Sequence, residues 1–154
     1  MSRLIVLLDV GGVINEKRQQ TAQFQHLVGT FFASQLGGTP EAWNEAHRII
    51  TGRFLGQREA IQRAVPDFIR FHRAYERYWV GGMCKLMGRR VPPEEQCLEL
   101  ADHAIAAIAS RVRAALPGVA EAIHTLHDHG YTLHTASGAV SFEIAGYLQG
   151  LGVQ

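Results

Sequence analysis

Only two stretches of this 154-residue chain read as strand, and they stand at its opposite ends. The first is the apolar run Leu4-Ile5-Val6-Leu7-Leu8, which stops at Asp9 and passes into Val10-Gly11-Gly12-Val13-Ile14. Its lack of polar alternation predicts a strand over residues 3–9 that is buried on both faces, as in a parallel sheet covered by helices. The second runs from Tyr131 to Ala136 and ends at Ser137-Gly138. From about Lys17 to Leu116 the apolar residues fall at helical spacing. The expected order is therefore a strand, a long run of helices, then helix, strand and helix. That order describes a helical insertion in an α/β scaffold.

The helical stretch is well punctuated. Phe24, Leu27, Val28, Phe31 and Phe32 form a stripe on a helix over 21–36, stopped by Gly37-Gly38. Thr39 then suits an N-cap with Pro40 at the first helical position, and Trp43, Ala46, Ile49 and Ile50 form the face expected to be buried. A separate short helix is expected from Gln57 to about Val65, ended by Pro66. Phe68, Phe71, Tyr75, Tyr78 and Trp79 repeat at helical spacing as a core stripe, with a pocket wall or subunit contact as the alternative. Arg70, Arg73 and Arg77 read as an exposed face of that helix. Pro92-Pro93-Glu94-Glu95 opens a long helix to about Ala115, and Pro117-Gly118 opens another that reaches His129 and is closed by Gly130. Residues 139–148 are expected to be helical again.

Charge and cysteine content exclude several function classes. With 15 basic and 14 acidic residues the formal net charge is +1, too small a field to attract nucleic acid or an anionic membrane. Cys84 and Cys97 have no metal or redox spacing and fit reduced thiols. The N-terminal apolar run is too short for a signal peptide or a membrane span, so a cytoplasmic, soluble protein is expected. His124, His127 and His129 with Asp128 invite a metal reading. With no third ligand at suitable spacing, a solvated helix face fits them better.

Two loops carry the candidate chemistry. Asp9 ends a strand at the edge where open α/β sheets bind ligands, and Gly11 and Gly12 let a ligand approach the backbone. Ser137 ends the second strand, where a hydroxyl beside backbone N–H groups can donate to a phosphoryl oxygen. Thr135, two residues earlier, suits that role less. Structural roles stand beside these: Asp9 as the cap of a turn, the glycines as turn formers, and Ser137 as N-cap of the next helix.

The segments Asp9-Val10-Gly11-Gly12-Val13-Ile14 and Leu116 to Gly138 (LPGVAEAIHTLHDHGYTLHTASG) resemble the first two motifs of the haloacid dehalogenase-like (HAD) hydrolase superfamily. The helices between them resemble that family's cap. The resemblance implies an α/β fold: an incomplete HAD-like Rossmannoid parallel sheet with an inserted all-helical cap. The core strand and nucleophile loop would occupy 1–16, the cap 17–115, and the core helix, second strand and following helix 116–154. It makes Asp9 the catalytic nucleophile, gives Ser137 the hydroxyl position, and puts Gly12 and Gly138 at the substrate. It also implies Mg²⁺, held by the Asp9 carboxylate and the Gly11 backbone carbonyl.

Two departures qualify the resemblance. Gly11 stands where the family commonly has a second Asp as general acid, a group worth ~10²–10⁴-fold in rate. Beyond Ser137 there is no Lys and no Asp, so the third and fourth motifs are absent. A phosphonatase variant would need a cap lysine, and Lys17 and Lys85 are the only lysines. The expectation is thus a HAD-like hydrolase, of phosphatase or dehalogenase type, in a truncated chain inactive by itself. The alternative is a non-catalytic HAD-derived binding or interaction module. Expected partners are a phosphorylated or halogenated small molecule for the complete protein, with no nucleic acid and no membrane, and a second copy through an exposed sheet edge.

Overall fold

The computed structural model describes residues 4–153. In chain order the elements are β1 (Ile5–Leu8), α1 (Lys17–Leu36), α2 (Pro40–Ala64), α3 (Phe68–Leu86), α4 (Glu94–Ala109), α5 (Val119–Asp128), β2 (Thr132–Thr135) and α6 (Ser141–Gly150). They divide into two compact units. One comprises the chain up to Phe24 and from Ala106 onward, and the other runs from Gln25 to Ile105.

The expected α/β architecture, a Rossmannoid parallel sheet with a cap, is corrected by this structure. The protein is mostly helical, at 67%, and the sheet among the described residues has two strands. The reason lies in the pattern itself: only two segments lack helical periodicity, and each yields a four-residue strand. Two short strands cannot be enclosed by helices on both faces. Ile5 and Leu7 accordingly remain 61% and 66% exposed, so β1 is not buried on both sides.

The unit from 25 to 105 is built around aromatic side chains. Phe32 stacks on Trp43 at 5.3 Å between centroids and meets Trp79 edge-on at 5.4 Å, arrangements that suit the ring quadrupoles. Both indole N–H groups are satisfied: Trp43 donates to the Gly37 carbonyl and Trp79 to His47 Nδ1, each at 2.8 Å. Gly37 and Gly38 adopt φ of +73° and +90°, reversing the chain between α1 and α2 in a region that disfavours side chains. Thr39 then caps α2 by accepting from the Ala42 N–H at 3.3 Å.

Instead of breaking into two, α2 runs unbroken past Gly52 and Gly56. No proline interrupts it, and buried Phe54 packs against Phe71 and Tyr75 of α3. The two helices approach closely at Gly82, where a Cβ would lie 2.7 Å from Ile50 Cδ1. Arg73, read from the sequence as part of an exposed face, instead bridges buried Glu76 (2.9 Å) and Asp102 of α4 (2.6 Å). Cys84 and Cys97 are both free and buried in this unit.

In the other unit, β1 and β2 pair in parallel with Ile5 opposite Thr132 and Leu8 opposite Thr135. Gly118 and Gly130 bracket α5 at φ of +79° and +81°. Among the described residues no helix is long and apolar enough to cross a membrane.

Candidate functional site

A parallel pair has both carboxyl ends at one edge, so the loop after β1 and the loop after β2 begin side by side. The Ala136 N–H donates to the Leu8 carbonyl at 2.9 Å, which carries the pairing to the last residue before Asp9. Asp9 thus leaves β1, and Ser137 follows β2, at the same end of the sheet.

The Asp9 loop is held by its own backbone. The Val10 carbonyl accepts from the N–H groups of Ile14 (3.1 Å) and Asn15 (2.9 Å), and the Gly12 N–H donates to the Asn15 carbonyl at 2.8 Å. Gly12 turns at φ +87°, and Val10 and Ile14 anchor the loop as buried apolar side chains. A Cβ on Gly11 or Gly12 would meet nothing within 4 Å, so the loop is open on that side. The exposed Asp9 carboxylate accepts from the Val10 N–H at 2.7 Å. No other hydrogen bond reaches it among the described residues.

At the facing loop, half-buried Ser137 does not cap α6. Its Oγ accepts from the Ala139 N–H at 3.2 Å, a local turn of the kind Ser favours, and Val140 takes the N-cap position without a side-chain bond. The first N–H groups of α6 therefore lack a side-chain acceptor. Gly138 is exposed with open space around its Cα. Asp9, Gly11, Gly12, Ser137 and Gly138 all belong to these two loops. Thr135 stands at the end of β2, opposite Leu8.

A polar chain that the sequence reading passed over lies in the same unit. The Tyr147 hydroxyl, on a residue 3% exposed, donates to Glu143 Oε1 at 2.9 Å, and the Gln20 side chain of α1 lies near it. Burial pushes the Glu143 carboxyl up, against a smaller opposite effect of the Tyr147 bond, and pushes the Tyr147 phenol up further. The signal available was the Glu143–Tyr147 spacing of four on one helix face. Nearby in sequence, Asn15 Nδ2 and Gln20 Oε1 are buried with no partner among the described residues.

His124 and His127 of α5 line a cleft of about 980 Å³ together with His134, Ile123 and Leu148. Neither Asp9 nor Ser137 lines it. His129 Nδ1 bonds the Thr125 carbonyl oxygen at 2.7 Å. Among the described residues no group of three His, Cys, Asp or Glu could hold a metal ion.

Magnesium, which the resemblance implies, would find one carboxylate and one backbone carbonyl at the Asp9 loop. It takes six oxygens in near-octahedral geometry, and Glu143, the acid in the facing segment, is turned to Tyr147. These residues by themselves do not make a magnesium site. What the arrangement can do is present an exposed carboxylate at the same end of the sheet as a hydroxyl and a helix N-terminus, groups suited to an anionic or polarised ligand. Neither a protein-family model nor a curated protein matches this chain.

Proposed function

We propose that the two loops at the carboxyl end of the sheet form a hydrolase site of the haloacid dehalogenase-like type, with Asp9 as nucleophile. The observation that carries this reading is the parallel register of β1 and β2, which starts the Asp9 and Ser137 loops at one edge. An Asp9 oxygen would attack phosphorus or an electrophilic carbon and displace the leaving group with its electron pair, giving an aspartyl phosphate or an aspartyl ester, respectively, that water then cleaves. Ser137 and the free N–H groups at the start of α6 would orient the substrate's anionic group. With Gly11 in place of a second acid, activated leaving groups such as an aryl oxide or a halide are the suitable ones.

A non-catalytic binding module is the second reading. It is favoured by a specific observation: Asp9 and Ser137 each accept a local N–H, as residues that merely cap turns do.

Mass analysis of the Asp9 peptide after incubation with an aryl phosphate or a 2-haloacid separates the two. A covalent adduct at Asp9, absent in Asp9→Asn, supports the hydrolase. Turnover that survives Asp9→Asn overturns it. Saturable binding of either probe at these loops without any adduct supports the binding module.

A further inference from the structure

We propose that the free edge of β1 pairs with the same edge of a second copy of this chain, antiparallel and centred on Val6, to make a continuous four-stranded sheet. The first support is the direction of the backbone groups. Thr132 and Ala136 donate to the carbonyls of Leu4 (3.1 Å) and Leu8 (2.9 Å), so the even-numbered residues of β1 face β2. In a parallel ladder the alternate residues, Ile5 and Leu7, then point their N–H and C=O groups away from it. Among the described residues no turn, loop or cap bond reaches either.

The second support is the side chains on that strand. Leu4, Ile5 and Leu7 are 67%, 61% and 66% exposed. The segment 4–8 carries no charge and no proline. Those are the devices by which edge strands normally discourage pairing. The net charge of +1 adds little repulsion between copies.

The third support is register, which selects a second copy as the occupant. With Val6 on the two-fold axis, Ile5 of one copy stands opposite Leu7 of the other, and the two exchange both N–H···O bonds. The groups left free by β2 are the ones this pairing uses. Opposed residues in an antiparallel pair share a face, so both Ile5 and both Leu7 side chains gather into one apolar cluster. The contact is isologous and closes on itself. The three exposed side chains offer on the order of 100 Å² each, or on the order of 600 Å² for both copies. That is about half the lower bound for a stable interface, so the dimer is weak and concentration-dependent.

The register places the two Val6 residues in a non-hydrogen-bonded pair, with Cα atoms ~4.5 Å apart and within disulfide reach. Sedimentation velocity across the micromolar range should show a reversible monomer–dimer equilibrium, lost in Leu7→Lys. Under mild oxidation Val6→Cys should give a covalent dimer, whereas Thr132→Cys should not. A chain that stays monomeric throughout overturns the proposal. So does a dimer indifferent to Leu7→Lys, or growth beyond the dimer. Circular dichroism of Leu7→Lys separates loss of pairing from loss of fold, and a folded monomer is the expected result. A Leu7→Lys that unfolds leaves the decision to Val6→Cys, whose failure to cross-link also overturns the proposal.

Discussion

The two compact units put similar apolar residues to opposite use. From 25 to 105, Trp43, Trp79, Phe32 and Met83 are all but inaccessible, and the packed rings join α1, α2 and α3. In the unit containing the sheet, Leu4, Ile5 and Leu7 stand largely in solvent on a four-residue strand. The candidate chemistry belongs to the second unit and most of the consolidated packing to the first. Low-stability regions open before cores do, so the Asp9 and Ser137 loops belong to the part expected to exchange amide protons first.

The most forceful way to break that contrast is Trp43→Ala. Removing a buried indole stacked on Phe32 should cost about 3–5 kcal/mol by denaturant midpoint. A cost near zero would mean that the aromatic cluster does not hold the helical unit together.

Next in size is a pH effect confined to the same unit. Burial lowers the His47 imidazole from 6.5 to about 4, and its Nδ1 accepts from the Trp79 indole, which a protonated ring could not do. Between about 4 and 6.5 the unfolded chain takes a proton that the native His47 refuses. The unfolded state binds more protons there, so stability rises with pH across that window and is lost as pH falls through it. At roughly 1.4 kcal/mol per unit, the swing is at most ~3.5 kcal/mol. In His47→Gln, which keeps an acceptor for Trp79, denaturation midpoints measured from pH 4 to 7 should lose this slope. An unchanged slope would assign the titration elsewhere.

The smallest effect sharpens the contrast from the other side. Gly138→Ala places its new methyl in open space at a residue without positive φ. Thermal or denaturant unfolding should move by no more than about 0.5 kcal/mol. In the helical unit, by contrast, a Cβ at Gly29 would collide with Asn44 Oδ1 and with the Pro40 carbonyl oxygen. A large loss at Gly138 would show that the loop after β2 is as tightly packed as the helices.

Helix positions were legible because their signals are local: Thr39-Pro40 opens α2 where expected, and Gly37-Gly38 ends α1. The β runs were legible as strands, but their environment was not. An unbroken apolar run says that burial is favourable without saying whether anything is there to cover it, and Ile5 and Leu7 show the difference. The union of Gly52–Gly56 into one helix depends on Phe54 meeting α3, a tertiary contact that outweighs two helix-weakening glycines. At the site, Asp9 and Ser137 could be placed at one edge because a parallel pairing follows from the connection between the strands. The approach of Gln20 to Tyr147 could not be read, since it requires two helices far apart in sequence to pack.

Both cysteines of the chain lie between 25 and 105, each 1% exposed, and burial pushes both thiols upward. Alkylation proceeds through the thiolate, so a reagent in solution waits on two rare events: the helices must part, and the sulfur must lose its proton. Labelling kinetics therefore act as a clock wound by one unit alone. The sheet-bearing unit carries no thiol and can open and close many times without advancing it.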